Sequence, residues 1–305
     1  MEPFRVHILG CASAMPTLRH NPSSQVVEFR DKLYMVDCAE GTQLQMRRYG
    51  LSFSRVAAIF ISHLHGDHCL GLVGMLSTFG MLGRKMPIQI YADAALRPVL
   101  DAQVKAFCHG LGYPVEFHPV DCGTQQPIYE DGGVVVESIP LEHRVPCCGF
   151  LFREKRGLPH IRRDMLDYHG ISVSQINNIK RGADGIRPDG TAVPHCLLTT
   201  PPAEPRTYAY CSDTRYIPTL HKRIPGVGLL YHESTYADDK QASAAEYYHS
   251  TARQAATVAR DAGAARLLLG HFSARYDDCG VFKEQAAEVF PDVELADEGL
   301  VFDIV

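Results

Sequence analysis

One stretch constrains this chain more than any other: Ser62-His63-Leu64-His65-Gly66-Asp67-His68. Three imidazoles and a carboxylate fall within six positions. Nitrogen ligands joined by an oxygen ligand suit a borderline divalent ion such as zinc. Gly66 is expected to permit a tight turn among them. Ahead of the cluster, Val56-Ala57-Ala58-Ile59-Phe60-Ile61 is a continuous apolar run of strand type, long enough to be buried on both faces. Behind it, Cys69 to Phe79 is apolar with small residues and predicts a packed helix. The cluster therefore belongs in a strand-to-helix loop, where α/β folds place their chemistry. That context separates it from a His-rich surface turn.

Composition narrows the class. The 305 residues are 46% hydrophobic and 21% charged, as in an ordinary globular enzyme. No apolar window is long enough for a membrane span, and the first residues lead into a strand without the features of a signal peptide. The ten cysteines are scattered, with no C-x-x-C pair to make a zinc knuckle. Cys11, Cys38 and Cys211 lie in strand contexts where a thiol packs as a small hydrophobe, so a reducing cytoplasm is the expected compartment. A net charge of −5 excludes a uniformly basic nucleic-acid binder but not a local basic patch.

Apolar alternation predicts strands at Phe4 to Gly10, Gln25 to Phe29, Lys32 to Val36, Ile88 to Tyr91, Val115 to Val120 and Val134 to Leu141. Helices are predicted from Glu40 to Gly50 and Ala94 to Phe107. Later strands are expected at Thr207 to Asp213, Gly228 to His232 and Arg266 to Leu269, helices at Thr251 to Asp261 and Phe282 to Val289, and a final strand pair. Two runs of strands, each followed by helices, predict an α/β fold: a four-layer αβ/βα sandwich of two similar halves in one domain, 1–305. Between them, from about 153 to 195, periodicity thins and basic residues gather. From Arg153 to Arg187 the balance is +4 within an acidic chain. A long basic insertion of this kind is functional or disordered. Short helical pieces are expected near Arg162 to His169 and Val173 to Ile179. Beyond the cluster, His143, Asp213 and His271 each follow a predicted strand, so they can converge on one sheet edge.

The pattern His63-x-His65-x-Asp67-His68 resembles the signature of the metallo-β-lactamase fold. With Asp37-Cys38-Ala39-Glu40-Gly41-Thr42-Gln43 ahead of it, the stretch is similar to the RNase Z family of tRNA 3′-processing endonucleases, over most of the chain. The resemblance implies two zinc ions, with manganese or iron as chemical alternatives. His63, His65 and His143 would hold one, Asp67, His68 and His271 the other, and Asp213 would bridge them. Asp67 would also orient the attacking water, and Asp37 is expected to hold a ligand imidazole. His232-Glu233-Ser234-Thr235 and His249-Ser250-Thr251 resemble short motifs of the family. They imply His249 as general acid, kept protonated by Glu233; Ser250 or His249 can also cap the helix that follows. The nine other histidines, His7, His109, His118 and His160 among them, are read as ordinary.

The basic insertion resembles the family's protruding substrate-binding arm, which grips the tRNA body away from the cleavage site. Arg162, Arg163, Lys180 and Arg181 are its candidate phosphate contacts. It departs from the family in lacking a Gly-Pro turn, with Val173-Ser174-Gln175-Ile176-Asn177-Asn178-Ile179-Lys180 in its place. The function implied is removal of the 3′ trailer from precursor tRNA, leaving a 3′-hydroxyl on the tRNA, by a homodimer. The rivals are a hydrolase of small phosphodiesters or sulfate esters, which has no use for a basic arm, and a non-catalytic RNA binder, which has no use for a proton donor.

Overall fold

The computed structural model describes residues 2–108 and 110–304, so His109 lies outside the described residues. One compact unit comprises residues up to Arg153 and from Arg206 onward; a second spans Glu154–Pro205. The first unit is built on two seven-stranded sheets. In chain order the strands are β1 (Phe4–Gly10), β2 (Ser24–Phe29), β3 (Lys32–Val36), β4 (Val56–Phe60), β5 (Ile88–Ala92) and β6 (Val115–Pro119). There follow β7 (Pro127–Glu130), β8 (Val134–Pro140), β9 (Cys148–Glu154), β10 (Thr207–Cys211), β11 (Leu229–Glu233), β12 (Arg266–Gly270), β13 (Val293–Leu295) and β14 (Val301–Asp303).

The first sheet runs β14-β1-β2-β3-β4-β5-β6 and the second β13-β12-β11-β10-β9-β8-β7. In each, an antiparallel part gives way to parallel strands, at β3–β4 and at β10–β11. Period-2 alternation then divides every strand between two layers. Tyr34 and Val36 of β3 join an aromatic-rich core between the sheets with Phe60, Phe150, Phe152, Tyr208 and Tyr210. Leu33 and Met35 of the same strand face helices instead, packing with Leu72, Leu76 and Leu96. On the far side Ala209 and Cys211 of β10 pack on Ala255, Ala259 and Phe282. Both faces of the sheets are covered, so the central strands read as unbroken apolar runs rather than polar–apolar alternations. The four-layer expectation holds.

Details depart from the sequence reading. The helix expected from Cys69 to Phe79 is two helices, Gly66–Cys69 and Leu72–Met81. Gly71 separates them; its N–H bonds to Cys38 O at 2.9 Å, and a Cβ there would lie 2.0 Å from Ala39 O. Asp67 and His68 thus stand on a helical turn, not in the loop. Gly66 needs no special backbone: its φ is ordinary, and a Cβ would meet only the flexible end of Leu70. The last two strands do not pair with each other. β13 extends the second sheet beside β12, and β14 extends the first beside β1. The hairpin strand β7 and strand β9 were not foreseen.

The second unit is small and self-packed. His160–Ile161 pairs with Thr199–Thr200, and Gly185–Ile186 with Ala192–Val193. Leu166, Ile171, Ile179, Val193 and Leu198 form its own core. Its helices are Arg163–His169, Ile176–Lys180 and His195–Leu198, the second preceded by a 3₁₀ turn at Val173–Gln175. Arg163 and Arg181 are exposed, and Arg162 and Lys180 partly so.

Candidate metal centre

Where β4 ends, the chain turns over one buried carboxylate. Asp37, which follows β3 with φ +57°, accepts from Ser62 N at 2.8 Å, Ser62 Oγ at 2.9 Å and Tyr210 Oη at 2.7 Å. Its Oδ2 also lies 2.7 Å from His68 Nδ1. An Nδ1–H given to a carboxylate leaves Nε2 bare, so Asp37 sets which nitrogen His68 presents. Ser62 Oγ lies 3.0 Å from His63 Nδ1 and makes the same choice for that ring. His143 Nδ1 faces Tyr248 O at 3.0 Å, and His271 Nδ1 faces Thr235 Oγ at 2.8 Å.

The nitrogens left over converge. His63 Nε2 is 3.1 Å from His65 Nδ1, which is 3.2 Å from His143 Nε2. Ligand atoms of His63, His65, His143 and Asp213 all lie within 4.8 Å of one another, as do those of Asp67, His68, Asp213 and His271. Asp213 belongs to both groups. Its Oδ1 stands 3.1 Å from His271 Nε2 and 3.4 Å from His68 Nε2, its Oδ2 3.7 Å from His63 Nε2. Buried His68 Nε2, His271 Nε2 and Asp213 Oδ1 have no hydrogen-bond partner. Bare nitrogens and an orphaned carboxylate oxygen facing one another fit divalent cations, and a five-imidazole, two-carboxylate set suits zinc-like ions. Burial pulls the His63 pKa down. A neutral imidazole is the form that ligates. His271, at φ +61°, holds a left-handed conformation that a non-glycine residue keeps only where its surroundings fix it.

Beside these groups lies a buried pair. Glu233 ends β11 with no exposed surface. Its Oε1 accepts from Ser250 N at 2.9 Å and Thr214 N at 3.2 Å, and its Oε2 from Thr235 N at 2.8 Å and Thr235 Oγ at 2.9 Å. His249 Nδ1 lies 2.9 Å from Oε1. Burial lowers the His249 pKa, but the Glu233 carboxylate outweighs it and lifts it to about 9. The imidazole is thus a cation at neutral pH, with Nδ1 committed to Glu233 and Nε2 free. His65, Asp67, His143, Asp213 and His249 all line one cavity of about 450 Å³. The helix after His249 is capped by neither of the residues expected. Thr251 is the N-cap, in a capping box with Gln254, while Ser250 Oγ donates to Thr214 O.

A family model described as anti-Pycsar protein Apyc1 matches residues 4–155. Ribonuclease Z of Phocaeicola vulgatus is 52% identical over 304 residues, covering 100% of this chain and 98% of that protein. Ribonuclease Z of Porphyromonas gingivalis is 46% identical, with 100% of both covered. The chain belongs to the ribonuclease Z family. Among solved structures, the human tRNase Z short form superposes with a TM-score of 0.71 at 25% identity, over 99% of each chain. The metallo-β-lactamase fold protein YhfI from Bacillus subtilis does so with 0.69 at 19% identity, over 99% of this chain and 100% of that one. The ribonuclease Z sandwich is thus a metallo-β-lactamase fold, and the chain an enzyme of that class.

The sequence reading assigned no role to several residues on which this ribonuclease Z site rests. Thr235 Oγ meets Glu233, His271 Nδ1 and, at 3.1 Å, His249 Nδ1, tying the acid pair to one ligand group. Ser62 and Tyr210 converge on Asp37. Thr235 and Ser62 adjoin recognised motif positions, which is the signal that was there to use. The backbone carbonyl of Tyr248 leaves no mark in a sequence. The arm candidates Arg162, Arg163, Lys180 and Arg181 fall in the second unit and are not among the residues lining this cavity.

Proposed function

We propose that this chain is a metal-dependent endoribonuclease that removes the 3′ trailer from precursor tRNA, leaving a 3′-hydroxyl on the tRNA and a 5′-phosphate on the trailer. One observation carries the reading: seven ligand-type side chains converge in two groups that share Asp213, beside the His249–Glu233 pair, and His65, Asp67, His143, Asp213 and His249 of this assembly line one cavity, in a chain of the ribonuclease Z family. His63, His65 and His143 would hold one ion, Asp67, His68 and His271 a second, and Asp213 both, with zinc the metal and manganese or iron its chemical substitutes. Bound there, two such ions supply an acidified water for attack and positive charge for the phosphate oxygens.

The protein's own groups do the rest. Asp67 Oδ2, fixed by Ala14 N at 2.8 Å, orients the attacking water. His249 donates its Nε2 proton to the departing 3′ oxygen, and Glu233 keeps the ring charged and aligned. The segment Glu154–Pro205 serves as an arm inserted in a single catalytic domain, with Arg162, Arg163, Lys180 and Arg181 taking phosphates of the tRNA body. The enzyme works as a homodimer in the reducing cytoplasm, a setting compatible with ten free cysteines. Among the described residues no helix is long and apolar enough to cross a membrane. The test is incubation of purified, metal-loaded protein with a 3′-extended tRNA transcript. A single cut yielding tRNA with a 3′-hydroxyl is expected; an intact transcript beside rapid hydrolysis of a small phosphodiester refutes the reading.

A further inference from the structure

Among the cavity-lining residues with no part in the chemistry above are two Arg–Tyr pairs, Arg144 with Tyr247 and Arg275 with Tyr236. Arg144 directly follows His143, and Arg275 lies four residues beyond His271. Each ligand group thus carries one guanidinium on the loop beside it. Arginines elsewhere in the fold commonly rest on carboxylates: Arg253 on Asp238 at 2.6 Å, Arg97 on Asp101 at 2.7 Å, Arg55 on Glu28 at 2.7 Å. Among the described residues Arg144 and Arg275 have no such partner.

Each lies over an aromatic ring instead. Arg144 Cζ is 4.9 Å from the centroid of Tyr247, and Arg275 Cζ is 5.8 Å from that of Tyr236. Arg275 Nη1 also donates to the Tyr236 hydroxyl at 3.2 Å. Both arginines are exposed, while Tyr236 is buried. Stacking fixes a guanidinium without neutralising it, so its charge and remaining N–H groups stay available to an anion. Arg215 makes the contrast: it too lies over a tyrosine, Tyr248 at 5.1 Å, but Glu142 stands 3.9 Å from it.

A substrate with a single phosphate in the cavity has no further anion to offer these two groups. A strand with a phosphate on each side of the reacting one does. We infer that Arg144 and Arg275 form two phosphate-binding subsites for the RNA backbone next to the scissile bond, with Tyr247 and Tyr236 as their platforms. The inference rests on the proposed RNA cleavage and adds the grip on the strand at the cut, separate from any contact made by the arm.

The experiment compares the metal-loaded wild type with Arg144→Ala, Arg275→Ala and the two Lys variants. The substrates are a 3′-extended tRNA transcript and bis(4-nitrophenyl) phosphate, which carries one phosphate only. Each Ala variant should raise KM for the transcript about tenfold, with kcat changing less, as loss of one charge-assisted phosphate contact implies. Its loss in kcat/KM on the transcript should exceed that on the small diester by about tenfold. The slope of log KM against log salt should fall by about 0.7 per arginine removed, and the Lys variants should keep that slope while losing part of the affinity. Equal losses on both substrates overturn the inference, because the arginines then support the cavity itself. So does a wild type that cleaves the transcript and variants that match it. A wild type that spares the transcript altogether overturns the functional reading and this one together.

Discussion

Asp213 reaches both ligand groups from one carboxylate, and its neighbours are arranged for a cation rather than for each other. Removing it takes a ligand from each group at once. Asp213→Ala is therefore expected to lose most bound metal and nearly all activity, and a variant that retained two ions per chain would sink its bridging role. His249 stands apart, since its Nδ1 is spent on Glu233. His249→Ala should keep its metal content and cleave roughly 10²–10⁴ more slowly, the usual worth of a positioned proton donor. A parallel loss of metal and rate would make it a ligand instead. At this scale the sequence was informative wherever a side chain's type announces its chemistry, as with His63, His65 and Asp67. It was silent wherever the work falls to a backbone carbonyl or a common hydroxyl, as with Tyr248 and Thr235.

Among the elements, the hairpin of β7 and β8 shows how a strand missed in the sequence earns its place. Its turn residue Asp131 accepts from Lys32 Nζ at 2.7 Å and Tyr34 Oη at 2.6 Å, both on β3 of the opposite sheet. The N–H groups of Gly133 and Val134 close the turn at 2.8 and 3.0 Å. Burial opposes the Asp131 charge, but these donors outweigh it and hold the pKa below the usual carboxylate value. A folded pKa below the unfolded one, about 3.9, stabilises above that pH and ceases to as pH falls through the folded value. Asp131→Asn should thus cost about 2 kcal/mol at neutral pH, a gap that narrows in denaturant titrations run below about pH 4. A pH-independent gap would show that packing, not charge, is what the substitution removes. Pro127 to Glu130 escaped the sequence reading because four residues with one buried side chain carry almost no periodic signal. The long central strands were legible because both faces are buried. Boundaries at Gly66 to Leu72 were not, because the helix break is set by Gly71 meeting the Ala39 carbonyl across the fold.

For the molecule as a whole, the segment Glu154–Pro205 is the part whose sequence announced charge and concealed structure. Its apolar positions are few and irregular, yet five of them make a core of their own. If it grips the tRNA body, replacing it with a short Gly-Ser loop should raise KM for precursor tRNA far more than for a small chromogenic phosphodiester. Losses alike on both substrates would assign it to support of the cavity, and undiminished tRNA cleavage would leave it no part in the substrate. The two similar halves were visible as repeated strand-then-helix runs, but the crossing of the chain's last strands was not, since neither short strand says which sheet it will join. One further property follows from where the ligands sit. His63, His65, Asp67 and His68 follow a strand of the first sheet, while His143, Asp213 and His271 follow strands of the second. Each ion that the two groups would hold therefore spans both halves, like a rivet driven through two plates. Chelation would then do more than silence the enzyme: it would remove two ties between the halves at that edge, leaving the aromatic core between the sheets to hold them.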